Sequence, residues 1–262
     1  VKFKNIFQDK IDLALKLYKH LCTDYDVEDL HKYRVSLRKM LAYNQVFGVH
    51  LDEENAQIVS KLLKNIIRPT SSLRDLDLFL IEIDVMRCSA QSKKKLLQIF
   101  TSKRDLLIDH FKDDAYKKSL QELKVLTKKN KLFEGDFHKL DKITILKNIS
   151  EKLSKQFSSI DENSSFEKLH KQRIKFKRFR YALEMYLHYF SDEDPQLENL
   201  YDLKELQDIF GIIQDNSARI EFIEDVSNEF EIHEIENLLS DLNQKIKNAK
   251  QELFRMVRIK NV

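Results

Sequence analysis

The stretch Leu169–Glu184, LHKQRIKFKRFRYALE, decides how the chain is read. Seven of its first twelve residues are Lys, Arg or His, yet its apolar residues recur at three and four, the spacing of one face of an α-helix. At about 3.6 residues per turn, His170, Arg173, Lys177, Arg180 and Glu184 share one arc. Leu169, Phe176, Phe179, Leu183 and Tyr186 share another. The expectation is a helix whose charged face is not its packing face.

This helix has a counterpart. Leu30–Phe47, LHKYRVSLRKMLAYNQVF, aligns with it so that His31 meets His170, Lys32 meets Lys171 and Arg34 meets Arg173. Val35 then falls opposite Ile174, Leu37 opposite Phe176, Arg38 opposite Lys177 and Lys39 opposite Arg178. In this copy the charged arc is His31, Arg34 and Arg38, and the apolar stripe is Leu30, Leu37, Met40, Leu41 and Phe47. A solvated outer face is the ordinary explanation of such an arc. Surface helices, however, alternate signs for support between residues four apart, and no acid lies between His170 and Arg180.

The repeat continues beyond the basic helices. Setting Lys64 against Lys204 without a gap puts Ser71 opposite Gly211, Leu73 opposite Ile213 and Asp75 opposite Asp215. The spacing from His31 to Lys64 nearly equals that from His170 to Lys204. Self-similarity on this scale implies two copies of one structural unit. The segment Lys128–Asp136, KKNKLFEGD, lacks a period and separates them, so the sequence divides into residues 1–130 and 131–262, with motif helices at 30–47 and 167–190.

Composition sets the fold class. Three Gly and two Pro in 262 residues are too few for the many turns of a β-protein, and 34% charged residues among abundant Leu, Ile, Lys and Glu suit helices. The prediction is an all-α protein of two related bundles, about four helices each, arranged as a pseudo-two-fold internal repeat with short connections. Helices are expected to start at Asp52, at Ser71 or Ser72, at Ser92, at Ser164 with Glu167 as a capping box, and at Asp194-Pro195. Gly48 is expected to end one helix and Gly211 to interrupt another. The net charge of +3 is too small for a polycation, so anion binding must come from local clusters. Cys22 and Cys88 have no disulfide framework or metal spacing, and no apolar run approaches a membrane span. These features predict a cytoplasmic protein without metal or other cofactor and without a membrane partner.

The ordered segments resemble the CHAD family, the conserved histidine α-helical domain. Its basic-helix pattern is met by His170, Arg173, Lys177, Arg178 and Arg180, continuing through Tyr181 to Glu184; Leu203–Gly211 followed by Asp215 is similar to its second-module segment. In the first module, His31, Arg34, Arg38 and Lys39 match the basic helix, and Leu73–Asp77, LRDLD, matches the Arg-Asp segment. The chain departs at Leu41, where the family has Arg, and at Ser71-Ser72, where it has Gly. The resemblance spans nearly the whole chain and implies one CHAD domain that binds inorganic polyphosphate through basic residues of both halves.

Polyphosphate presents repeated non-bridging oxygens and calls for repeated donors. The resemblance and the arcs together nominate His31, Arg34, Arg38, Lys64, Arg74, His170, Arg173, Lys177, Arg180 and Lys204. Arginine offers a planar fork and lysine a mobile point charge; histidine donates, and becomes a full charge on protonation. Asp75, Asp77, Glu184 and Asp215 are candidate counter-charges that hold these cations, while Lys39 and Arg178 stand at the flank of the arcs. Nucleic-acid-backbone binding is the second reading, although the two arcs lack interleaved exposed aromatics. A third is a metal-dependent phosphohydrolase or phosphotransferase acting through His31 or His170. Without a Gly-rich phosphate loop or a His/Asp cluster at metal spacing, the expectation is a non-catalytic protein.

Overall fold

The computed structural model describes residues 2–47, 51–128, 142–161, 164–190 and 197–260. Its regular structure in these residues is helical, with no strand. The order is α1 (Lys2–Thr23), α2 (Val27–Phe47), α3 (Glu53–Ile67), α4 (Pro69–Glu82), a 3₁₀ turn (Ile83–Val85), α5 (Ala90–Phe111) and α6 (Asp114–Lys128). Then follow α7 (Lys142–Phe157), α8 (Phe166–Phe190), α9 (Leu197–Asp225), a second 3₁₀ turn (Ser227–Glu229) and α10 (Ile232–Lys260).

Helix starts follow local side-chain chemistry. Asp26 accepts from the Asp29 amide at 2.8 Å to open α2, and Asp52 accepts from the Asn55 amide at 2.9 Å to open α3. Each satisfies one of the free amides at a helix N-terminus. Three expected caps shift by a few residues. Pro69 opens α4, so Ser71 and Ser72 lie inside its first turn and not at its cap; a proline is favoured there because its missing N–H is not needed. The Ser89 hydroxyl, not Ser92, caps α5, accepting from the Ser92 amide at 3.2 Å. At α8 the cap is Ser165, accepting from the Lys168 amide at 3.2 Å, while Ser164 accepts from the amide of Asp161 at 3.0 Å.

Gly211 does not interrupt a helix: α9 runs unbroken through it. A mid-helix glycine costs about 1 kcal/mol, which the burial of its neighbours Phe210 and Ile213 outweighs. The comparable stretch of the first half is two helices, α3 and α4, because Pro69 cannot supply the amide that Ile209 supplies in α9. Gly48, Asp194-Pro195 and, apart from Lys128, the separating segment Lys128–Asp136 lie outside the described residues.

Two compact units are present. The first comprises Val1–Arg74, Asp105–Ile149 and Tyr181–Asp194; the second comprises Asp75–Arg104, Ser150–Arg180 and Pro195–Val262. The unit boundaries fall inside α4, α5, α7 and α8, whereas a division read from the sequence looks for loops. A 25-residue helix such as α8 is about 37 Å long, enough to contribute to two cores.

In the first unit, α1, α2, α3 and α6 pack in a ring, α1 on α2, α2 on α3, α3 on α6 and α6 on α1. This is a four-helix bundle. Its centre is aromatic: Phe111 lies edge-on to Tyr18 and Tyr33, at centroid distances of 5.2 and 5.8 Å. The buried hydroxyls are satisfied in a chain, Tyr116 donating to the Ile66 carbonyl at 2.8 Å and Tyr33 to Tyr116 at 2.9 Å. In the second unit α9 packs along α10. Phe79, Phe100 and Phe222 form one aromatic cluster there, and Phe157, Phe176 and Phe210 another. Among the described residues no helix is long and apolar enough to cross a membrane.

Candidate functional site

The five basic candidates of the first half all lie in the first unit. His31 and Lys64 are exposed, on α2 and α3; Arg38 and Arg74 are half-buried. Arg34 corrects the expectation of a charged face apart from the packing face. Only 5% of it is exposed, and its guanidinium donates to the hydroxyls of Thr70 and Ser71 in the first turn of α4. A helical wheel registers only the helix itself, whereas the start of α4 covers this part of α2. Arg74 donates to the Val27 carbonyl at 3.1 Å, fastening α4 to the start of α2.

Glu184, from the second basic helix, belongs to the first unit as well, and there its carboxylate lies 2.9 Å from the ammonium of Lys39. The Lys39 ammonium also stands 5.7 Å from the centroid of the Tyr181 ring. Lys39, which the arcs leave at the flank, is therefore the cation that this carboxylate holds. The neighbouring Tyr43 phenol is pushed well above its ordinary value, first by burial and then by the Glu184 charge.

The second unit carries His170, Arg173, Lys177, Arg180 and Lys204. The first four are half-buried along α8 and Lys204 is exposed on α9. The His170 ring hydrogen-bonds through Nδ1 to the side-chain amide of Gln214. Arg173 lies 4.0 Å from the carboxylate of Asp215. Asp75 is half-buried and Asp77 fully buried in this unit. Ser71 supplies an oxygen to Arg34, whereas the aligned Gly211 has no side chain and Arg173 has the Asp215 carboxylate as its neighbour.

Two residues in the second unit go beyond the sequence candidates. Gln214 aligns with Arg74 in the repeat, but an amide among cations carries no signal of its own. Arg178 is half-buried, and burial lowers its pKa from the ordinary arginine value without making it neutral near pH 7. No carboxylate or other hydrogen-bond acceptor partners it among the described residues. Its position opposite Lys39 in the repeat was legible; its lack of an acid was not.

The described residues hold no cluster of His, Cys, Asp and Glu arranged for a metal ion. What the basic helices offer chemically is a set of hydrogen-bond donors, Arg34 buried and the remainder half-buried or exposed.

Comparison with known proteins agrees with this architecture. Residues 5–224 match the CHAD domain model. The fold is similar to the crystal structure of the CHAD domain from the plant Ricinus communis, with a TM-score of 0.72, 16% identity, and coverage of 98% of this chain and 90% of that one. It is also similar to PptA from Streptomyces chartreusis, with a TM-score of 0.65, 13% identity, and coverage of 97% and 96%. No curated protein matches. With the family model matching well over half of its length, the chain belongs to the CHAD domain family.

Proposed function

We propose that the protein binds inorganic polyphosphate, without catalysis, through the basic residues of α2 and α8 together with Lys64 and Lys204. The observation that carries this reading is Arg178 on α8: a half-buried guanidinium with no acid to neutralise it among the described residues. A cation that is partly desolvated and unpaired raises the free energy of the empty protein. An incoming phosphate oxygen relieves that cost and supplies the missing charge-assisted hydrogen bonds. Arg173, Lys177 and Arg180 share one arc of the same helix, about 100–160° round it from Arg178 at 3.6 residues per turn, and supply a row of donors beside it.

A polymer of repeated phosphates suits this arrangement because the donors recur along a helix and demand no base or sugar. The test is retention of long-chain polyphosphate by the whole protein on a filter at increasing salt. Tight retention at low salt that falls steeply with ionic strength supports the reading; no retention at low salt refutes it. Orthophosphate release in the same mixture with Mg²⁺ or Mn²⁺ would replace binding with hydrolysis.

A further inference from the structure

The last helix carries a second basic surface that the family match does not reach. α10 begins at Ile232, after the matched residues end at 224. Along one face of its C-terminal half, an open surface pocket is lined by Lys247, Lys250, Arg255 and Arg258, with Phe254 and Ile246 between them and no acid among the described lining residues. Lys247 and Arg255 are exposed, Lys250 and Phe254 half-buried. Lys247, Lys250 and Arg255 make no ion pair or hydrogen bond among the described residues.

The ordinary roles of cations on a helix do not account for this set. Favourable interaction with the helix dipole fades beyond the last turn, and Lys247 and Lys250 lie more than two turns before Lys260. Support from acids four residues away is absent as well. Glu252, the one acid between Lys245 and Lys260, falls about 200° round the helix from Lys250 at 3.6 residues per turn; it stands one turn before Arg255 but makes no ion pair with it among the described residues.

The arrangement differs from the basic arcs of α2 and α8 in its aromatic residue. Phe254 stands one turn after Lys250 and one turn before Arg258, so a ring that is not fully buried has a cation on either side along the pocket. A row of cations alone suits any polyanion. Cations interleaved with an accessible aromatic ring suit a chain that carries both phosphates and flat bases, because each base can stack on the ring while the backbone follows the charges. We propose that the α10 pocket binds single-stranded nucleic acid, with Lys247, Lys250, Arg255 and Arg258 contacting phosphates and Phe254 stacking a base. This site is separate in sequence from the residues proposed for polyphosphate and does not depend on them.

The experiment measures fluorescence anisotropy of an end-labelled dT20 oligonucleotide with the whole protein at low salt, alongside polyphosphate retention. Wild-type protein is expected to bind dT20. Lys247→Glu with Arg255→Glu, both exposed positions that leave the core untouched, is expected to abolish that binding. Phe254→Ala is expected to weaken it about tenfold, as loss of one stacked base implies, with polyphosphate retention unchanged; Phe254→Tyr, which keeps the ring, retains dT20 binding and controls for folding. No dT20 binding by the wild type overturns the proposal. So does dT20 binding that survives the double charge reversal, or that Phe254→Ala leaves unchanged, or that is lost when Arg173, Lys177 and Arg180 are replaced instead.

Discussion

The carboxylate of Glu184 lies 2.9 Å from the ammonium of Lys39, whereas Arg178, which the internal repeat sets opposite Lys39, has no acid beside it among the described residues. One member of an aligned pair of cations is neutralised from within the protein and the other is not. Replacing Glu184 with Gln should therefore release Lys39 for an external anion. Polyphosphate affinity is expected to rise severalfold, with a steeper salt dependence and a stability loss of no more than about 1 kcal/mol for this partly exposed pair. Titration at several salt concentrations checks it; unchanged or weaker binding contradicts it.

Arg178→Leu should move binding and stability in opposite directions. It removes a half-buried charge that burial alone disfavours, so the melting temperature is expected to rise. It also removes a donor fork, so polyphosphate affinity should fall about tenfold, the scale of one charge-assisted contact. A fall in both would mean that the guanidinium is structural.

Gly211 lies inside α9, where an added Cβ meets nothing within 4 Å. Gly211→Ala should stabilise the protein by about 0.5–1 kcal/mol through the lower conformational entropy of its unfolded chain. Denaturant melts would register this as a higher midpoint with an unchanged slope; a destabilised variant would mean that the helix needs glycine here for another reason.

Glu234, in the first turn of α10, accepts from the Ser92 hydroxyl and from the Ser89 amide, the latter at 2.8 Å. These hydrogen bonds hold its carboxyl below the ordinary carboxylate value. A depressed folded pKa contributes stability that is present above the unfolded value and lost as pH falls through the folded one. The melting-temperature advantage of the wild type over Glu234→Gln is thus expected at neutral pH and should close as the solution is acidified below the ordinary carboxylate range. A gap that stays constant with pH would contradict the assignment.

The helical class was legible because three- and four-residue apolar spacing and the scarcity of Gly and Pro leave little else for the chain to form. The two basic stretches were legible as helices from the apolar spacing around His31 and His170. Arg34 was misread, since a wheel assigns it to a charged arc and gives no hint that Thr70 and Ser71 cover it. Lys39 and Arg178 occupy the same register and look alike in sequence; the difference between them is whether a carboxylate 145 residues away arrives, which happens for Lys39 and Glu184. Gly211 shows local preference yielding to burial of the residues around it. The Ser165 cap differs from the expected Ser164 by one position, because adjacent serines offer the same chemistry and only backbone geometry separates them.

The central claim is that the cations of α8 bind polyphosphate. Its most direct measurement compares long-chain polyphosphate retention by the wild type and by the Arg173→Ala, Lys177→Ala, Arg180→Ala triple variant, with helicity followed by circular dichroism and Lys117→Ala, at an exposed position of α6, as a control. The triple variant is expected to keep its helical signal and lose retention, while Lys117→Ala keeps both. Retention by a folded triple variant equal to that of the wild type would contradict it.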